Sequence, residues 1–128
     1  MPGALLVVFS NAVEGQDEEF NRWYTEVHVP DVIKLGGATV GRRYRAAGVP
    51  LLTGIPEPGG YAAIYEVEAE TREQIEAVAA SFAESLTTGE ADISPTMDLP
   101  SVQAAWLLPI GGPIDGPIDG PIDGAVRG

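Results

Sequence analysis

Two short runs near opposite ends of the chain, ALLVVFS (residues 4–10) and SVQAAWLLP (residues 101–109), constrain the fold most. Each is too short for a lone helix and reads as a strand. Both are apolar at odd and at even positions. Leu5, Val7 and Phe9 stand against Leu6 and Val8, and Val102, Ala104, Trp106 and Leu108 against Ala105 and Leu107. Side chains alternate along a strand, so such strands need cover on both faces of their sheet.

The segments between them set what can supply that cover. After a loop over residues 11–16, residues 17–28 read as an amphipathic helix with Asp17, Glu18 and Glu19 at its N-terminus. At roughly 100° per residue, Phe20, Trp23, Tyr24, Val27, His28 and Asp31 fall on one side. Pro30 is expected to break this helix, to push Val29 away from helical angles and to open a short turn, PDVIKLGG. Residues 38–46 form a second strand, with Val40, Arg42 and Tyr44 on one face and Arg43 and Arg45 on the other. A Pro- and Gly-rich loop spans residues 47–60, and such long loops are often functional lids. Residues 61–68 form a third strand with Tyr61, Ala63, Tyr65 and Val67 on one face. Residues 71–86 form a second helix, with a capping box at Thr71 and Gln74 and a stripe of Ile75, Val78, Ala79, Phe82 and Leu86. A loop over residues 87–100 leads to the last strand.

The order is βαββαβ, an α+β ferredoxin-like unit: a four-stranded antiparallel sheet with two helices on one face. The helices cover one face only. A second copy of the chain, docked face to face, covers the other, so a homodimer is expected. Residues 1–110 make the domain. Residues 111–128 are a low-complexity tail carrying GPID three times in tandem, read as a disordered or extended appendage whose isoleucines could serve as pegs on a partner.

Charge and composition narrow the partners. Nineteen Asp and Glu against seven Lys and Arg give a net charge of -12, which argues against nucleic acid and anionic membrane surfaces. With no cysteine, disulfides, thiolate catalysis and Cys-based metal sites are excluded. This fits the cytoplasm. The N-terminal apolar run lacks a basic leader and reads as a strand rather than a signal peptide. One histidine excludes a multi-histidine metal site within one chain. GxGxxG, P-loop, GxSxG and HExxH patterns are all absent, which speaks against nucleotide cofactors.

That histidine, His28, sits just before a Val-Pro step. Its bland role is helix-end packing on Trp23, Tyr24 and Val32. Its functional role is acid/base chemistry, with Tyr24 four residues before it and Asp31 three after. A helix C-terminus and Asp31 favour the protonated ring and burial against Trp23 opposes it, so sequence leaves the net shift unsigned. One of Arg42 and Arg43 faces the interior, where it could hold a carboxylate, phenolate or enolate. Tyr44, Tyr61, Tyr65 and Trp106 are either core or the wall of a pocket for a flat apolar ligand.

The string FNRWYTEVHVPDVIKLGGATVGRRY, residues 20–44, resembles the signature segment of the EthD-like branch of the dimeric α/β-barrel superfamily. The matching features are a helix bearing Trp-Tyr, then His-Val-Pro-Asp, then a glycine turn into an Arg-bearing strand. By element order the resemblance covers residues 4–109. It implies a homodimer whose two sheets join into a barrel, with a cavity in each subunit between helices and sheet. Many members are cofactor-independent enzymes: polyketide cyclases, lactone isomerases and quinone-forming monooxygenases. Others bind haem through a histidine.

The expectation is therefore a cytoplasmic homodimer acting without metal or organic cofactor on an apolar aromatic or polyketide-like carbonyl or lactone compound. His28, Tyr24 and Asp31 are the candidate catalytic residues. Trp23, Arg42, Tyr44, Tyr61, Tyr65 and Trp106 are the candidate substrate-binding residues. A non-catalytic module that binds an apolar metabolite, and a haem-binding protein, are the alternatives.

Overall fold

A computed structural model of the chain describes residues 3–116. Strand β1 (Ala4–Ala12) is followed by α1 (Asp17–Trp23), a wider π-helical turn (Tyr24–His28) and α2 (Val29–Gly36). Then come β2 (Ala38–Arg45), β3 (Tyr61–Val67), α3 (Arg72–Thr88) and β4 (Met97–Leu107). The four strands form one antiparallel sheet in the order β2-β3-β1-β4. This is the α+β ferredoxin-like arrangement that the element order predicts.

Alternation along β1 and β3 sorts the two faces. Leu6 pairs with Tyr65 on one side and with Trp106 on the other, and Val8 pairs with Ala63 and Ala104. These residues point toward the helices. The core joins them to Phe20, Tyr24 and Val32 from the helices, and to Ile75 of α3. The opposite face carries Leu5, Val7, Phe9, Ile64 and Leu107, and among the described residues no helix or strand covers it. Leu5 is 37% and Leu107 47% exposed there.

Pro30 does not break the first helix. Backbone angles stay helical through His28 (φ -70°, ψ -48°) and Val29 (φ -61°, ψ -45°). The Val29 amide reaches back five residues to the Tyr24 carbonyl, so the turn is wider than an α-turn. A proline ring normally collides with the carbonyl four residues back and leaves it without a donor. The widened turn accommodates that proline, and the helix runs on until Gly37, whose left-handed φ of 77° closes it.

Two strands differ from expectation. β2 carries an extra residue, with Ala38 opposite Val67 but Val40 opposite Glu66. This bulge turns Gly41 and Arg43 toward the helices. β4 starts at Met97 rather than residue 101, because the edge position and a bulge opposite Asn11 tolerate Pro100. There Ser101 Oγ accepts from the Asn11 amide at 2.8 Å and donates to the Asp98 carbonyl at 2.6 Å. The capping box of α3 forms as the sequence predicts, with Gln74 N donating to Thr71 Oγ1 at 3.2 Å and Thr71 N to Gln74 Oε1 at 3.2 Å. Of the tail, residues up to Gly116 are described and Ile114 is exposed. The other two GPID units, and the reading of their isoleucines as pegs, lie outside the described residues.

Candidate functional site

The first helical segment buries Phe20, Tyr24, His28, Val32 and Gly36, a strict spacing of four. An α-helix has 3.6 residues per turn, so each step of four overshoots by about 40° and four steps by about 160°. A plain helix would carry half of these residues into solvent. The wide turn from Tyr24 to His28 takes up the drift and keeps all five facing the sheet. It also explains why Val27, expected on the apolar side, is 43% exposed.

Between this segment, α3 and the sheet lies a cavity of about 360 Å³. Leu6, Val8, Val78, Phe82, Val102 and Trp106 supply much of its wall. Three polar side chains break the apolar lining: Tyr24, His28 and Tyr65. Each of the two tyrosines is 1% exposed and His28 is 7% exposed. Among the described residues the hydroxyls of Tyr24 and Tyr65 and the Nδ1 of His28 make no hydrogen bond of good geometry, the two hydroxyls interacting only with each other. Leaving a buried polar group unpaired costs on the order of 1–3 kcal/mol, and three such groups belong to residues that line this one apolar cavity.

His28 is held by rings. It stacks on Trp23 at 4.8 Å and 27°, meets Tyr24 edge-on at 4.8 Å and 85°, and faces the edge of Phe82 at 6.1 Å. Burial, and then the positive charge of Arg43, lower its pKa from 6.5 to about 4. The ring is therefore neutral near pH 7. The helix does not end at His28, so no C-terminal dipole stabilises a proton there. Among the described residues no hydrogen bond or ion pair joins Asp31 to the imidazole, and Asp31 does not line the cavity. Its expected partnership with His28 is corrected by the geometry of the wide turn.

Arg43, not Arg42, is the arginine that faces the helices. Its Cζ lies 4.3 Å from the centre of the Tyr24 ring and 5.7 Å from those of Phe20 and Tyr61, a cation–π arrangement. Nη1 donates to Thr25 Oγ1 at 3.2 Å and to the Asn21 carbonyl at 3.4 Å. Arg42 points to the uncovered face and pairs with Glu66 at 3.0 Å. Gly41, opposite Tyr65, permits the close packing of β2 on the helix: a Cβ there would lie 2.8 Å from Val29 Cγ1 and 3.1 Å from the Tyr65 ring.

The other sequence candidates divide. Tyr65 and Trp106 line the cavity. Trp23 backs His28 from behind without lining it. Tyr61 sits beyond the cavity, where its hydroxyl donates to Asp17 Oδ2 at 2.7 Å. Tyr44 is 50% exposed on the uncovered face. Met97, Leu99 and Ile93, from β4 and the segment before it, also line the cavity. Sequence reading placed these three in a loop, since Pro100 hid the strand. Among the described residues, no cluster of three or more His, Cys, Asp or Glu is placed to hold a metal, and no helix is long and apolar enough to cross a membrane.

The ferredoxin-like fold is shared with solved structures that include an EthD family protein. An EthD family protein from Bacillus halodurans matches with a TM-score of 0.50 at 13% identity, over 86% of this chain and 100% of that one. A protein from Arabidopsis thaliana matches with 0.54 at 15% identity, over 88% and 100%. HapK from Hahella chejuensis matches with 0.51 at 14% identity, over 89% and 99%. At these identities the likeness is one of fold. No family model and no curated protein matches the sequence.

The His28 pKa fixes a pH dependence. Between about pH 6.5 and pH 4 the unfolded chain takes up a proton that the folded chain refuses, so acid destabilises the fold across that window. The loss amounts to ~3 kcal/mol, at 1.36 kcal/mol per pKa unit. Denaturant unfolding at pH 7 and pH 4 should show a decline in stability smaller by about that amount in His28→Gln than in wild type. Equal declines would mean that His28 titrates as an ordinary exposed ring.

Proposed function

We propose that this protein is a small enzyme that moves a proton α to the carbonyl of an apolar aromatic or polyketide-like ketone or lactone, with His28 as the base. One observation carries the reading: a buried imidazole and two buried phenols line an otherwise apolar cavity. The imidazole would take the proton from the α-carbon, and the electron pair of the broken C–H bond would move to the carbonyl oxygen. A base with a pKa near 4 is weak in the empty site. The enolate formed beside it raises its proton affinity, because opposite charges at short range in a water-poor cavity favour each other. The Tyr24 hydroxyl, with Arg43 against its ring, would donate to the developing oxyanion. Cyclisation, isomerisation, lyase and monooxygenase steps can all begin from such an enolate.

The experiment is deuterium exchange α to the carbonyl, followed by NMR in D2O across a panel of aromatic and polyketide-like ketones and lactones. Wild type should exchange at least one member, and His28→Gln should slow it by about 100-fold or more, the usual worth of a positioned acid/base group. Exchange at the wild-type rate in a folded His28→Gln protein would contradict the proposal. A second reading is a non-catalytic binding module. It is favoured by the missing orienting partner on His28 Nδ1, and binding without exchange by any member of the panel would support it.

The same proposal includes a homodimer joined through the uncovered sheet face. Leu5, Val7, Phe9, Ile64 and Leu107 form a contiguous apolar surface there, of the kind that marks protein interfaces. Sedimentation at micromolar concentration should give twice the chain mass for wild type and the single chain mass for Leu107→Glu. A monomeric wild type would contradict this assignment.

A further inference from the structure

We infer that the hydroxyls of Tyr24 and Tyr65 act as a paired clamp on one oxygen of an uncharged ligand, so that the cavity accepts neutral ring ketones and lactones and turns away carboxylates. The inference rests on the reading of the cavity as a ligand site, and it adds Tyr65 and a charge selectivity to it.

Tyr24 comes from the wide helical turn and Tyr65 from β3, in the sheet the turn packs against. Both line the same cavity and both are 1% exposed; among the described residues neither hydroxyl makes a hydrogen bond of good geometry, and their interaction is with each other. The two phenols are close enough to sense each other. Burial raises the pKa of each; the contact between the two hydroxyls lowers that of Tyr24 and raises that of Tyr65, so a ligand oxygen between them would replace that contact. They remain protonated donors at any physiological pH. Two donors facing one cavity can share the two lone pairs of a carbonyl oxygen.

The charge selectivity follows from where the cation is. Arg43 lies against the ring of Tyr24, donates to Asn21 and Thr25, and does not line the cavity. A carboxylate placed against the two phenols would lose its water shell without gaining an ion pair, which is costly in an apolar site. A carbonyl oxygen loses far less. The net charge of -12 adds a further bias against anions.

The test uses three probes of similar shape: 1-tetralone, tetralin, which lacks the oxygen, and 1-naphthoate, which is charged. Binding is read by tryptophan fluorescence, because Trp106 lines the cavity and Trp23 stacks on His28. Tyr65→Phe and Tyr24→Phe should each weaken 1-tetralone by about three- to ten-fold, the worth of one hydrogen bond. Each should leave tetralin within about two-fold of wild type, which also certifies that the variant is folded. Naphthoate should bind wild type at least about ten-fold more weakly than 1-tetralone. Equal responses of 1-tetralone and tetralin to both substitutions, or naphthoate binding as tightly as 1-tetralone, would overturn the clamp and leave the cavity reading standing. Failure of both 1-tetralone and tetralin to bind would overturn the two together.

Discussion

The structure depends on one wide helical turn. Residues Tyr24 to His28 bring the four-residue spacing of buried side chains into line with the sheet. Without that turn Phe20 and Val32 would point about 120° apart around the helix, and the buried set could not face the sheet together. Pro30 belongs to the same solution. A residue with no amide proton is best tolerated where the hydrogen-bond ladder has already been reset. The sheet answers the turn with Gly41, whose missing side chain lets Val29 and Tyr65 meet β2 closely.

Electrostatics then follow from packing. His28 is surrounded by Trp23, Tyr24 and Phe82, and Arg43 is the charge that acts on it. Desolvation and that cation both oppose its protonation. The two contributions run in one direction, so the ring is neutral over the physiological range. The same Arg43 acts on Tyr24 and Tyr65 in the opposite sense, pulling down phenols that burial has pushed up. One guanidinium outside the cavity therefore tunes the three polar groups inside it.

Much of the architecture was legible in the sequence because it rests on strong local signals. Strand alternation in residues 61–67, the Thr71–Gln74 capping box and the glycine after α2 each dictate an element directly. The inward set Tyr61, Ala63, Tyr65 and Val67 follows from alternation alone. The site was legible only in part. Reading residues 17–28 at a fixed 100° per residue misplaced Val27 and paired His28 with Asp31. The spacing Phe20, Tyr24, His28, Val32, Gly36, visible in the string itself, was the signal for an underwound helix. The choice between Arg42 and Arg43 turned on a single-residue bulge near Thr39, and register shifts of that kind leave little trace in composition. Tyr44 and Tyr61 look equivalent to Tyr65 in a strand pattern, and only the position of the helices separates them.

The central claim is that the single histidine is a buried, neutral group lining a ligand cavity. The most direct test is an NMR titration of the His28 ring from pH 3 to pH 8, unambiguous because no other histidine is present. A midpoint near 4, well below the ordinary 6.5, with the ring resonances moving when a ketone ligand is added, is the predicted result. A midpoint at the ordinary value and no response to any ligand would contradict the account, and would leave His28 a surface residue with no part in a site.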